Sequence, residues 1–358
     1  MGIFNRKKVD DEYEEVEEVV VRRRPKSEAF KDLKSENRKK RKEPPKPWGK
    51  KERILVLIII ILTAGTSTFL SLSARAWKLP GLPRLKVPQL NLPFFGEETI
   101  ILEGNKESGK DKQEAERITS AFRERTRELS GVYGLSVIKL ESGYSYGVNE
   151  NETFQAASLI KLPIIAAMYM EAEKGNLDLD SKYSLKNSDK ISGAGSLYLK
   201  PAGYEITYRN LINLMGKQSD NTAFNVCRKF LGDEKINEVI KKIGMTHTSL
   251  DNNETTPRDI GIFFEGLWKG NIVSKVNRDE ILDDLTGTVY ENWLVAGIPE
   301  GVRVAHKYGR EVHVVNDAGI VFTDKPFIVV IMSKGVIERE ADEILPELSR
   351  IVYEIGLN

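Results

Sequence analysis

Residues 157–165 read ASLIKLPII, and two incompatible meanings are open to them. Ser158 and Lys161 stand three apart in otherwise apolar sequence. One meaning is an ordinary helix start, with Ser158 as N-cap, Pro163 in the first turn and the lysine stem along the surface. The other is a serine nucleophile with its base. Leu159, Ile160, Leu162, Ile164, Ile165, Ala166, Ala167, Met168 and Met170 leave no polar face, so the helix is expected to be buried on all sides. A lysine at the start of a buried helix is unusual, and the rest of the chain has to account for it.

The spacing alone proves little, because Ser-x-x-Lys recurs as SVIK at 136–139. That copy lies in a strand pattern, where residues i and i+3 point to opposite faces. In the 158–161 copy the pair lies on a helix, where i and i+3 are neighbours. A serine hydroxyl needs a base, and a lysine serves as one only if its pKa falls. Burial and the positive end of a helix dipole both disfavour the ammonium. Two further stretches follow in order: Ser219-Asp220-Asn221 in a break between helical segments, and Lys307-Tyr308-Gly309 at the end of a strand. Each alone reads equally as turn or cap chemistry. The three together, each in its matching context, favour catalysis.

Around these stretches the pattern is α+β. Ile118, Phe122 and Leu129 form one stripe of an amphipathic helix. Residues 134–142 and 144–154 read as two strands joined at Ser142-Gly143. The middle region is helical, with one helix capped by Thr256, opened by Pro257 and stopped at Gly270. GVRVAHKYG, EVHVVNDAGIVF and PFIVVIMSKG read as three strands, followed by a helix with Pro346 as a candidate kink. A mainly antiparallel five-stranded sheet is expected, its first and last helices on one face and the all-helical region on the other.

Residues 115–358 resemble the penicillin-recognising serine hydrolases, most closely the class A β-lactamases, on SLIK at 158–161, SDN at 219–221 and KYG at 307–309. The resemblance implies a β-lactamase/transpeptidase-like fold without a cofactor. It implies acylation of Ser158, with Lys161 as proton partner and Ser219 passing the proton toward the leaving nitrogen. Asn221 would hold the amide side chain of the substrate and Lys307 its carboxylate. The backbone N–H groups of Ser158 and of Arg310, just past Gly309, would form the oxyanion hole. The substrate implied is a small β-lactam or a peptidoglycan-like amide; a D,D-peptidase or esterase, and a slowly deacylating or non-catalytic sensor, are the alternatives. Two departures stand out. Tyr308 replaces a small hydroxyl residue, and the loop that carries a deacylating glutamate in class A enzymes shortens to SLDNNETTPRD, with Glu254 its candidate.

Upstream, residues 54–74 carry no charge and span roughly 30 Å as a helix, the thickness of a hydrocarbon core. Trp48 and Trp77 flank them, and a basic excess over 22–53 lies on the N-terminal side. The expectation is a transmembrane helix over 54–75, a charged, disordered cytoplasmic tail over 1–53, a Pro-rich stalk over 76–112 and an extracytoplasmic domain over 113–358. A cleaved signal ending at ARA, 74–76, is the alternative, disfavoured by the long hydrophilic region before it.

Composition narrows the rest. With 54 basic and 53 acidic residues the formal charge is +1, which gives no reason to expect nucleic acid as a partner. Cys227 is the sole cysteine, so no intrachain disulfide forms. His247, His306 and His313 form no metal-ligand pair, so a metal site is not expected.

Overall fold

The computed structural model describes residues 109–356, the strand Ile101–Leu102 and, further upstream, positions 50, 54, 56–63 and 66. The chain divides into two compact units, Met1–Thr66 and Ser67–Asn358. The described positions of the first unit are helical. There Thr63 Oγ1 donates to the Ile59 carbonyl at 2.7 Å and Thr66 Oγ1 to the Leu62 carbonyl at 2.9 Å. Hydroxyls within an apolar helix thus bond back to their own backbone. Among the described residues no helix is long and apolar enough to cross a membrane. Much of the expected span, nearly all of the expected tail and most of the expected stalk lie outside the described residues.

The second unit is built on an antiparallel six-stranded sheet. In chain order its strands are β1 (Ile101–Leu102), β2 (Val132–Lys139), β3 (Ser145–Val148), β4 (Arg303–Glu311), β5 (Val314–Phe322) and β6 (Phe327–Lys334). Their spatial order is β1-β3-β2-β6-β5-β4, which leaves β4 at an edge. Five of these are the expected strands. The sixth, β1, pairs Ile101 with Tyr146 and Leu102 with Ser145, inside the stretch expected to be stalk. Two residues are too short to show a period in sequence. The second strand also ends early. Asn149 adopts a positive φ of 51°, closing β3, and Phe154–Gln155 pairs separately with Glu254–Thr255.

The pleat sends alternate residues to two cores. Val137, Val329 and Ile331 pack with helix α1 (Gly109–Thr126) and the C-terminal helix, through Ile118, Phe122, Leu345 and Leu348. Ile138, Ile328 and Val330 pack against the helical region on the other face. There α2 (Lys161–Glu173) is the central element, every residue from Lys161 to Glu171 being buried. Around it stand α3 (Tyr208–Lys217), α4 (Asn221–Leu231), α5 (Asp233–Ile243), α6 (Pro257–Trp268) and α7 (Lys275–Asp284). As expected, Thr256 caps α6, accepting from the Asp259 N–H, with Pro257 at its start. The C-terminal helix α8 (Glu338–Gly356) carries Pro346 inside it.

Candidate active site

The Ser158 side chain caps nothing. It lies in a 3₁₀ turn, Ala157–Ile160, that runs into α2, and neither element has a side-chain cap. Ala157 enters the turn at φ 49°, a left-handed conformation that costs a non-glycine residue energy. The chain before it is fastened to the sheet: Asn316 Nδ2 on β5 donates to the Gln155 carbonyl at 2.8 Å and to the Ala156 carbonyl at 3.3 Å. Ser158 is half-buried, within reach of a ligand.

Lys161 is the centre of the polar cluster, with 2 % of its surface exposed. Its Nζ lies 3.1 Å from Ser158 Oγ, 3.2 Å from Ser219 Oγ and 2.8 Å from Asn221 Oδ1, and it donates to the Ser219 carbonyl. Burial lowers its pKa to about 7, opposed in part by the nearby Asp220 carboxylate. An amine so tuned holds its proton weakly enough to take one from a hydroxyl near neutral pH. The other SVIK copy behaves differently: Ser136 is buried in β2, while Lys139 bonds Asp111 at 2.8 Å and also Glu114.

The loop between α3 and α4 presents Ser219 and Asn221 to this lysine. Ser219 sits at φ 55°, which turns its carbonyl and hydroxyl the same way. Asp220 is the structural member. Its carboxylate caps α4 at the Ala223 N–H, 2.9 Å, and accepts from the Ser196 and Leu197 N–H groups at 2.7 and 2.8 Å. Asn221 Nδ2 donates to the Ser192 carbonyl at 3.0 Å, tying the same loop to the site.

Strand β4 closes the site from the other side. Ala305 belongs to the α2-side core and Val304 to the α8-side core, so odd positions of β4 face the nucleophile and even ones face away. Lys307 is fully buried, its Nζ donating to the Tyr308 carbonyl at 2.8 Å. Burial, then the Lys161 charge, hold its pKa well below that of an ordinary lysine. Gly309 allows close approach: a Cβ there would lie 2.9 Å from the Ser158 nitrogen and 3.1 Å from Ala157 Cβ. The His306 N–H points off the outer edge, away from β5, bonding the Leu285 carbonyl at 2.8 Å. The period of two puts the Arg310 N–H on that same edge, beside Ser158.

The tyrosine departure has a geometric answer. Tyr308 is an even position, and its ring packs against Tyr290 and Trp293 at centroid distances of 5.5 and 6.4 Å, while Lys307 Nζ lies over the same ring, 4.2 Å from its centroid. Glu254 is also placed. It pairs with Gln155, which is exposed, whereas its neighbour Thr255 pairs with buried Phe154. Residues directly opposite in a ladder share a face, so Glu254 stands on the outer side of that pairing. Among the described residues no His, Cys, Asp and Glu cluster is arranged to hold a metal.

Sequence reasoning missed Asn316, His306–Asp317 and Asp342. His306 Nδ1 lies 2.8 Å from Asp317 Oδ1, both fully buried. The signal available was the polar pair Asn316-Asp317 inside an apolar strand. Nothing local marked Asp342, whose role depends on where α8 docks.

Comparison with known proteins agrees with this geometry. Residues 115–355 match the β-lactamase enzyme family. The chain is 26 % identical over 197 residues to β-lactamase CARB-3 of Pseudomonas aeruginosa, covering 51 % of this chain and 68 % of that protein. It is 22 % identical over 255 residues to β-lactamase VEB-1 of the same organism, covering 63 % and 85 %. Among solved structures, PBP-A shares 28 % identity at a TM-score of 0.64, over 68 % of this chain and 96 % of that one. A variant of PBP-A with the same identity and score is an acyl-enzyme complex with penicillin G, matched over 69 % and 97 %. The chain belongs to the β-lactamase enzyme family and is a serine hydrolase.

Proposed function

We propose that this protein is a membrane-anchored, extracytoplasmic serine hydrolase that is acylated at Ser158 by a β-lactam or a related peptidoglycan-like amide. The carrying observation is Lys161 Nζ at 3.1 Å from Ser158 Oγ, with its pKa brought down to about 7. Ser158 Oγ bonds to the substrate carbonyl carbon while its proton passes to the Lys161 amine. The oxyanion is met by the N–H groups of Ser158 and Arg310. The carbon–nitrogen bond then breaks, and the nitrogen receives the proton by way of Ser219. Asn221 contacts the acyl side and Lys307 the substrate carboxylate. Water hydrolyses the ester and restores the serine hydroxyl.

Glu254 on the outer side of its pairing favours slow deacylation, since it is then not the carboxylate that holds a water at the ester. That supports a second reading, in which the working reaction is on cell-wall peptides and β-lactams are poorly cleared. PBP-A, a variant of which forms an acyl-enzyme complex with penicillin G, is a similar protein in keeping with it. The anchor reading rests on the uncharged run at 54–74 with its basic N-terminal flank.

A labelled penicillin tests the reading. Label is expected on the wild type and absent from Ser158→Ala, and it should leave slowly. Rapid release would make β-lactam clearance the working activity. A wild type that takes no label would remove the acyl-enzyme reading altogether.

A further inference from the structure

The even side chains of β4, which face away from Ser158, are each fastened to one wall. His306 Nε2 lies 3.0 Å from Thr288 Oγ1, and the Tyr308 ring packs on Tyr290 and Trp293. Arg310 meets Asp342 of α8 through both terminal guanidinium nitrogens, each at 3.0 Å, and its guanidinium lies over the Trp293 ring at 5.6 Å. Asp342 Oδ1 also accepts from Trp293 Nε1 at 2.9 Å, and Trp293 is buried. One carboxylate thus holds both the strand and the aromatic wall it leans on.

The position of this fastening matters more than its energy. Strand β4 is the edge of the sheet, and on its outer side the Leu285–Thr286 segment bonds it at Ala305 and His306, four or more residues before Arg310. Arg310 pairs with Val315, one step before the last pair of the ladder, Glu311 with Val314. Beyond lies a turn of Val312 and His313, the latter at φ 60°. Ladder ends open most readily, and here the end carries the N–H assigned to the oxyanion hole. The side chains of the ion pair are 42 % and 36 % exposed, so the pair contributes little to global stability. Its effect is local.

We propose that Asp342 is a positioning residue: by gripping the Arg310 side chain it fixes the Arg310 backbone N–H against the site of the developing oxyanion. This rests on the acyl-enzyme reading above. Catalysis by preorganised donors is sensitive to displacements below an ångström, whereas noncovalent binding of the substrate, spread over the whole cleft, is much less so.

The test uses Asp342→Ala, Asp342→Asn and Arg310→Met, which keeps the backbone N–H and removes its tether. Each is expected to slow the acylation step with penicillin G about tenfold, with noncovalent affinity changed less than about twofold. Combining Arg310→Met with Asp342→Ala should slow it no further, because both act through one contact. Hydrogen exchange at the backbone amide of Glu311, the ladder position next to Arg310 that pairs with Val314, followed by NMR, is expected to quicken in every variant, while the melting temperature of Arg310→Met holds. An amide at 311 as protected as in the wild type overturns the proposal, whatever acylation does. If wild-type protein takes no penicillin, the acyl-enzyme reading falls, and exchange at 311 still decides whether Asp342 fixes this end of the strand. Should Asp342→Ala fail to fold, Arg310→Met gives the same decision with α8 and its bond to Trp293 intact.

Discussion

Gly309 stands against Ser158: a Cβ on residue 309 would lie 2.9 Å from the Ser158 backbone nitrogen. Strand and nucleophile are therefore in backbone contact, and no side chain fits between them. Gly309→Ala must push β4 away from the 3₁₀ turn. Acylation of this variant by penicillin G is expected to fall by about two orders of magnitude, because both oxyanion donors sit on the two elements forced apart. Stopped-flow acylation measures it. A rate within a few-fold of wild type would mean the donors lie elsewhere.

Acylation should follow the protonation of Lys161. Its pKa is about 7 in the folded protein, so the rate is expected to rise through pH 7 and level off above it. Stability carries the same signature. The unfolded chain holds this proton up to the ordinary lysine pKa of about 10.4, so between about pH 7 and 10 it binds more protons than the folded one. Wild-type stability should therefore rise with pH across that window, by up to a few kcal/mol relative to Lys161→Met. Below about pH 7 the cost of the buried ammonium is fully present. Denaturant unfolding of both proteins at several pH values reads this out; parallel curves would show that Lys161 is not buried as described.

Tyr308 should matter for packing and for the setting of Lys307. Its ring lies with Tyr290 and Trp293, and Lys307 Nζ stands over it at 4.2 Å from the centroid. Tyr308→Thr restores the small hydroxyl residue of the family motif and is expected to cost about 1–3 kcal/mol of stability through lost aromatic contact. Acylation at low penicillin concentration should fall by about threefold to tenfold, because Lys307 loses its aromatic partner. A rate equal to or above that of the wild type would show that the ring does not support Lys307.

Glu254→Gln should leave the lifetime of the acyl-enzyme unchanged. The register that sets Glu254 opposite exposed Gln155 keeps it on the outer side of the pairing. Release of a bound penicillin, timed in wild type and variant, gives the comparison. A lifetime prolonged tenfold or more would identify Glu254 as the deacylating base.

How much of this was legible in the sequence depended on the range of the physics involved. The buried helix α2 was readable because an apolar run without a polar face has one stable setting, and the strands because their period is local. The Ser158–Lys161 pair was readable for the same reason: helical spacing alone brings i and i+3 together. Ser219, Asn221 and Lys307 entered through the family resemblance, and the fold then brought Ser219 and Asn221 onto Lys161. What stayed hidden was everything that depends on which face a side chain takes. Whether Tyr308 crowds the cleft, and whether Glu254 reaches it, turn on strand register. The grip of Asp342 on Arg310 needs α8 docked beside β4, 32 residues away in sequence. The two-residue strand β1 lacked any periodic signal at all.

Peptide mapping by mass spectrometry after brief exposure to penicillin G addresses the nucleophile itself. One penicilloyl group per chain is expected, on the peptide containing Ser158, with none on Ser158→Ala. An adduct on any other residue, or an unmodified wild type after prolonged exposure, would contradict the assignment of Ser158.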